Sequence, residues 1–222
     1  MANLIIKPSS GGNLLLQDEG GDAAVSVGTT GDVTFGTGSN GKLFHSMQVF
    51  TASATYTKPS GVTAIMVIVT GSGGSSGVRA SGLSKSSGGS AGGTAIKWIT
   101  SGIGSTETVT IGPEITAAQT AGTTSSFGSH CTGTGGGAGA VDAVSGQPGV
   151  GTGGDINIRG GKGTRGDTSS EYTTGGASYW GGGSSQGAGS AAGHVAYGAG
   201  GGDADAAGRS GSGICVVYEY KG

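Results

Sequence analysis

The sequence has little of the material from which enzymes and ordinary protein cores are built. Of its 222 residues, 11% are charged, 5% are aromatic and 33% are hydrophobic, and the chain holds 4 Pro and 2 Cys. Globular proteins carry roughly 45–50% apolar residues, although that norm counts Gly. Conventional core residues are therefore scarce, and we expect them to be concentrated in a few strands.

These shortages exclude several classes of partner. The formal net charge is −2 and no basic patch is present, so no nucleic-acid partner is expected. No apolar run approaches the roughly 20 residues of a membrane-spanning helix, and the first ten residues lack the apolar region of a signal peptide. We expect a soluble protein without membrane insertion. Cys131 and Cys215 form no spacing motif, which favours buried free thiols over a disulfide.

The constellations of catalytic and metal-binding proteins are missing as well. His45, His130 and His194 are far apart in the sequence, and no Ser/His/Asp or HExxH arrangement occurs. Residues 161–166 match the dinucleotide-binding pattern GxGxxG, but no helix pattern follows. A chain this rich in Gly is expected to contain such a match by chance. We expect no enzymatic activity, no metal and no cofactor.

Glycine is what the chain has in abundance, with 54 residues against an average usage of about 7%. The richest tract runs from Gly133 to Gly213 and is followed at once by the apolar stretch GICVVYEY. A disordered linker has no need of an apolar strand at its end or of aromatic residues within it. We therefore predict that the tract is ordered.

An ordered Gly-rich tract can form polyglycine II helices, which are extended, left-handed and have three residues per turn. These helices have no internal hydrogen bonds, so their backbone groups must pair with neighbouring helices. Gly71, Gly74 and Gly77 keep a period of three. Because only Gly lets such backbones approach closely, we expect Gly137→Val and Gly182→Val to destabilise the bundle.

The apolar residues outside this tract follow strand patterns. Short apolar runs separated by Gly predict a meander of small strands over residues 3–40, and longer strands follow from Met47 onward. AIMVIVT is apolar on both faces, which predicts a central strand, and FGSHC and DINIR are predicted as short strands. No amphipathic helix is found.

The predicted fold class is all-β with polyglycine II. A short β-rich stem or trimerisation segment at residues 1–45 precedes a tip domain at residues 46–222. The tip domain is a β-sandwich that carries a bundle of Gly-rich left-handed helices.

An ordered succession of motifs resembles a known family. VFTASATYTKPSGVTAIMVIVTGSGG, GGTAIKWIT, TVTIG, GTGGDINIRGGKG, GGASYWGGG, YGAGGG and GICVVYEY together resemble the glycine-rich C-terminal domain of bacteriophage tail fibres, over about residues 48 to 220. The N-terminal region looks like the stem repeats of such fibres. The resemblance implies a virion protein made in the host cytoplasm. Its implied partners are other tail fibre subunits, in a homotrimer, and a receptor on the host surface, either an outer-membrane protein or a glycan.

Aromatic and charged residues interrupt the Gly runs at intervals that suit exposed turns. Tyr and Trp offer a large contact area at a small entropy cost, and a rigid bundle would preorganise them. Tyr179, Trp180 and Tyr197 could equally be packing residues. The predicted receptor-binding residues are Asp142, Gln147, Arg165, Asp167, Glu171, Tyr172, Tyr179, Trp180, His194, Tyr197, Asp203, Asp205 and Arg209.

The predicted function is therefore reversible attachment to a bacterial surface by a tail fibre tip. Two alternatives stay open. The chain could be a purely structural fibre or assembly protein, or a polyglycine-type ice-binding protein. Ice binding would need a flat, regular face of small residues, against which the irregular Gly spacing, Trp98 and Trp180 argue.

Overall fold

The computed structural model describes residues 14–17, 23–27, 33–35, 43–78, 86–141, 144–165, 173–184, 196–202 and 208–222. These residues form thirteen β-strands, and no α-helix occurs among them. The predicted all-β class is confirmed.

A small antiparallel sheet lies near the N-terminus. Its strands are β1 (Leu14–Gln17), β2 (Ala23–Val27) and β3 (Val33–Phe35), in the order β1-β2-β3. This is the predicted meander of apolar runs separated by Gly, although its first predicted run, LIIK, lies outside the described residues.

Ten further strands form two antiparallel five-stranded sheets. We name each sheet after its outer face. The apolar sheet contains, in spatial order, β12 (Ile156–Ile158), β7 (Thr94–Ile99), β6 (Val62–Thr70), β13 (Ile214–Lys221) and β4 (Leu43–Phe50). The threonine sheet contains, in spatial order, β11 (Gly151–Thr152), β10 (Cys131–Gly133), β9 (Ser125–Phe127), β8 (Thr106–Thr110) and β5 (Ala54–Thr57).

One hydrophobic core is shared by these two sheets. From the apolar sheet, Ile65, Val67 and Val217 are fully buried, and from the threonine sheet Tyr56 and Phe127 pack against the same cluster. The rings of Tyr56 and Phe127 lie 5.4 Å apart. Strand β6 is central in its sheet, as predicted. The scarce apolar residues are thus concentrated where alternating strand patterns place them on one face.

Strand β4 begins at Leu43 and pairs with β13 along its length. The predicted domain boundary between residues 45 and 46 therefore falls inside this strand. Polar side chains reinforce the pairing: the fully buried Glu219 carboxylate accepts hydrogen bonds from Gln48 Nε2 at 2.9 Å and from the hydroxyl of Ser46. Burial, and then the nearby Glu219 carboxylate, raise the pKa of Tyr56.

One strand prediction is wrong. FGSHC is not a single strand, because β9 ends at Phe127 and β10 begins at Cys131. Between them Gly128 has a positive φ of 50°, and the backbone N–H of His130 donates to the Phe127 carbonyl at 3.0 Å. The stretch is therefore a tight turn of a β-hairpin, which the Gly permits.

The Gly-rich segments between the strands follow a regular hydrogen-bonding rule. Along residues 71–77, each backbone N–H donates to one of three neighbouring segments, and the choice of neighbour repeats every three residues. The acceptor carbonyls are, in order, those of Gly93, Thr123, Gly211, Ser90, Thr120, Gly208 and Ser87.

Residues 87–93 follow the same rule with three further neighbours. Their acceptor carbonyls are, in order, those of Ala140, Thr164, Gly201, Gly137, Gly161, Gly198 and Thr134. Along every neighbour, the residue number of the acceptor falls by three each time the donor number rises by three. These neighbours therefore run antiparallel to the donating segment. Both segments are thereby surrounded by backbone on several sides.

The period of three in Gly has a steric cause. A Cβ atom on Gly71, Gly74 or Gly77 would overlap the backbone of residues 133–140. Where a segment carries Ser instead, the hydroxyl joins the backbone network. Ser75 Oγ donates to the Ala117 carbonyl at 2.6 Å and accepts from the N–H of Thr120 at 2.9 Å.

We predict that Gly137→Val destabilises the fold by about 3 kcal/mol or more, because overpacking forces backbone shifts. A Cβ on Gly137 would lie 2.6 Å from the Gly146 carbonyl carbon. A Cβ on Gly182 meets no atom of the described residues within 4 Å. The structure therefore gives no steric reason for Gly182→Val to destabilise the bundle, contrary to the expectation from the sequence. Gly182→Val is the matched control, with a change within about 0.5 kcal/mol. Urea unfolding of both variants measures the difference, and equal stabilities would contradict the packing argument.

Both cysteines are free and buried in the core. Burial raises the pKa of the Cys131 thiol to about 11 and also raises that of Cys215. Since an unfolded thiol has a pKa of about 8.5, the neutral thiol favours the folded state fully below that pH. This contribution to stability is lost as the pH rises toward 11.

We predict that neither thiol reacts with a disulfide reagent at pH 8 in the native protein, and that both react in denaturant. Stability should also fall between pH 9 and pH 11, and a Cys131→Ala variant should show a smaller fall. Rapid labelling of the native protein would contradict the burial of these thiols.

Candidate functional site

Four connections between Gly-rich segments begin and end at the same end of the segments. They comprise residues 79–85, 142–143, 166–172 and 203–207, all outside the described part of the chain. The residues that flank them are in contact. Isolated β-bridges join Ser86 to Val141 and Ser87 to Arg165. We call the end of the segments where these flanks meet the tip.

Two hydrogen bonds join Ser76, which precedes the first connection, to Gly208, which follows the fourth. The N–H of Ser76 donates to the Gly208 carbonyl at 3.2 Å, and the N–H of Gly208 donates to Ser76 Oγ at 2.8 Å. The opposite end of the segments adjoins the apolar sheet, since residue 71 follows β6 and residue 213 precedes β13. The tip is thus the end away from that sheet.

Seven of the thirteen predicted binding residues lie outside the described residues. Six of them belong to the tip connections, and their flanks are brought together as above: Asp142, Asp167, Glu171, Tyr172, Asp203 and Asp205. His194 belongs to residues 185–195, which connect Ser184 to Ala196. Arg165 is described, is exposed and lies at the tip.

Gln147 and Arg209 are exposed and engage neighbours through their side chains. Gln147 Oε1 accepts a 2.8 Å hydrogen bond from the Arg159 guanidinium. Arg209 forms a 2.9 Å ion pair with Glu114, and both side chains are more than 40% exposed. An ion pair this exposed contributes little to stability, so the Arg209 guanidinium can exchange Glu114 for another anion at low cost.

Tyr179, Trp180 and Tyr197 lie at the sheet end of the segments, away from the tip. Trp180 Nε1 donates a 2.9 Å hydrogen bond to the hydroxyl of Thr70, the last residue of β6. The Tyr197 carbonyl accepts from Ser178 Oγ at 2.6 Å, and the rings of Tyr179 and Trp180 meet edge to face at 5.1 Å. The structure thus separates these aromatics from Arg165.

The outer faces of the two sheets are surfaces that the sequence analysis did not single out. The threonine sheet presents hydroxyl side chains, and the apolar sheet presents apolar ones. Alternation in TYT, TETVT and AIMVIVT marks which residues share a face. The pairing of distant strands, which joins these residues into continuous surfaces, has no signal in the sequence.

Metal binding in the described part of the chain would require a cluster of ligating side chains. No three His, Cys, Asp or Glu side chains are placed there to hold a metal ion. No helix in those residues is long and apolar enough to cross a membrane. His130 Nε2, in the β9–β10 turn, lies 3.2 Å from Glu107 Oε1 of β8, which is within hydrogen-bond distance.

No protein-family model matches the chain, and no curated protein matches it significantly. Function is therefore inferred from the residues and from the fold.

We predict that Trp180 packs rather than binds. Trp180→Phe should lower the free energy of unfolding by about 1 kcal/mol, the usual net value of one hydrogen bond, because Thr70 loses its indole donor. Tyr179→Phe, which keeps the ring contact, is the control and should unfold like the wild type. If Trp180→Phe leaves thermal unfolding unchanged but abolishes ligand binding, the packing role is wrong.

Proposed function

We propose that this protein forms the distal end of a bacteriophage tail fibre and binds a receptor on the host surface through its tip, reversibly and without catalysis. The observation that carries the proposal is that the described residues flanking four connections meet at one end of a densely hydrogen-bonded scaffold. Loops held on a rigid framework are a common arrangement for recognition surfaces.

We further infer that the Gly-rich segments are polyglycine II helices on a β-sandwich. The three-residue repeat of hydrogen-bonding neighbours along residues 71–77 and 87–93 supports this, because polyglycine II has three residues per turn. The shared core of the two sheets supports the sandwich. At about 3.1 Å per residue, seven residues of such a helix carry the tip about 22 Å from the sheet.

A scaffold of this kind lowers the entropic cost of binding. The flanks of each connection are fixed by backbone hydrogen bonds. Less conformational entropy is therefore lost when a receptor binds. The connections hold acidic, basic and aromatic residues, among them Asp167, Glu171 and Tyr172. Contacts that are weak in one tip would be multiplied by avidity in a fibre that carries several tips.

We predict saturable binding of the labelled protein to a few strains in a panel of intact bacteria. The double variant Glu171→Ala with Tyr172→Ala, and separately Arg165→Glu, should weaken binding at least tenfold without changing the melting temperature. Thr108→Ala, exposed on the threonine sheet, is the matched control and should bind normally.

The outcome decides between the receptor role and a structural one. A folded protein that binds no strain would favour a structural or assembly part of the fibre. Where binding occurs, loss after protease treatment of the cells indicates an outer-membrane protein, and loss after periodate oxidation indicates a surface glycan. Binding that survives every tip substitution would move the site elsewhere on the molecule.

A specific surface favours ice binding as a second candidate. The outer face of the threonine sheet bears small hydroxyl side chains in cross-strand rows. These pair Thr57 with Thr106, Thr55 with Thr108, and Thr110 with Ser126, Thr132 and Thr152 in turn. Spacings in such a face are about 4.8 Å between strands and about 6.7 Å along them. Neither Trp interrupts this face, since Trp98 lies on the apolar sheet and Trp180 lies beside Thr70.

Ice binding is tested directly by thermal hysteresis and by inhibition of ice recrystallisation. If the threonine face binds ice, Thr108→Lys should remove the activity while Arg165→Glu leaves it intact. Absence of both effects in the folded wild-type protein would eliminate this candidate and leave the adhesin.

A further inference from the structure

The outer face of the apolar sheet carries three cross-strand rows of apolar side chains. Residues that pair across antiparallel strands share a face and touch, so the pairing assigns the rows. The first row is Ile156, Ile96, Ile68, Val216 and Val49, the second is Trp98, Met66, Tyr218 and Met47, and the third is Ala64, Tyr220 and Phe44.

The ends of these rows are open to solvent, whereas Ala64, Ile68 and Val216 are buried. Phe44 is 61% exposed, Ile156 57%, Met47 50%, Val49 48% and Trp98 41%. The side chains nevertheless form an ordered surface. The rings of Trp98 and Tyr220 are 4.8 Å apart, and those of Phe44 and Tyr220 are 6.1 Å apart. Free apolar side chains that are already packed together lose little entropy when a partner covers them.

An uncharged, apolar face of this kind can pack against an identical face on a second copy of the chain. None of its twelve positions is charged, so two copies can meet without burying an unpaired charge. Aromatic residues and Met are enriched in the centres of protein interfaces and charged residues are depleted there. The hydroxyl-bearing threonine sheet of the same chain shows that an apolar outer face is not needed to build such a sheet.

We propose that this face packs against the same face of a second copy of the chain. The twelve positions span roughly 400 Å², taking about 4.8 Å between strands and about 6.7 Å between rows. That is about half of the roughly 800 Å² that one partner contributes to a standard interface. The pair is therefore reversible unless neighbouring residues extend it.

This pairing goes beyond receptor binding and does not rest on it. The tip lies at the far end of the Gly-rich segments from the apolar sheet, so occupation of the apolar face leaves Arg165 accessible. A failure of either proposal is thus recognised without reference to the other.

The test is sedimentation equilibrium of the full chain over a range of protein concentrations. As the protein concentration rises, the mass of the wild type should rise from the 20.9 kDa of one chain toward twice that value. A double variant, Phe44→Ser with Met47→Lys, should dissociate at concentrations at least tenfold higher than those that dissociate the wild type. Thr108→Lys, which places the same charge on the threonine sheet, should keep the wild-type mass. Circular dichroism checks that each variant is folded, and Val49→Thr replaces the double variant if the latter does not fold.

A readout at the face itself excludes association through another surface. Trp98 and Trp180 are the two Trp of the chain, so Trp180→Phe leaves Trp98 as the only indole. Its emission should shift to the blue as the concentration rises through the association range. A wild type that is monomeric throughout overturns the pairing and leaves the face to a different protein. An oligomer that is insensitive to the Phe44 and Met47 substitutions, or whose Trp98 emission is independent of concentration, also overturns it.

Discussion

Backbone groups that are buried must be hydrogen-bonded, and the rest of this structure depends on how the Gly-rich segments meet that requirement. An α-helix satisfies its backbone within one segment, whereas residues 71–77 donate every N–H to some other segment. No segment can then be stable alone. Each requires neighbours at backbone distance, and Gly at every third position is what allows one of those neighbours to approach.

The sheets and the Gly-rich segments are stabilised by different interactions. Strands β6, β7, β10 and β13 adjoin Gly-rich segments directly, so the side-chain core of the two sheets fixes where these segments start or finish. Beyond the sheets, backbone hydrogen bonds and Ser hydroxyls replace side-chain packing. A chain with 33% hydrophobic residues can therefore fill a body much larger than its conventional core.

Most strands could be predicted because their positions depend on local patterns in the sequence. Alternation located most strands, the two-sided apolar run placed β6 at the centre, and the period of Gly71, Gly74 and Gly77 anticipated a close neighbour. The identity of that neighbour could not be predicted, since Gly has no side chain to mark a partner and residues 133–140 are distant in sequence. The same holds for the candidate site: interruptions of the Gly runs predicted exposed turns at Trp180 as well as at Arg165, but the tertiary contact with Thr70 places Trp180 at the other end of the segments from Arg165.

The position of β13 has a consequence for how the chain folds. This strand, formed by Ile214–Lys221, lies between β6 and β4, so the apolar sheet stays split until residues 214–221 have been synthesised. Contacts between residues this far apart in sequence make folding slow. During that interval β4 and β6 each have an open edge, and unpaired edges in incompletely folded chains promote aggregation. The exposure of these two edges therefore lasts until β13 has paired with both of its neighbours.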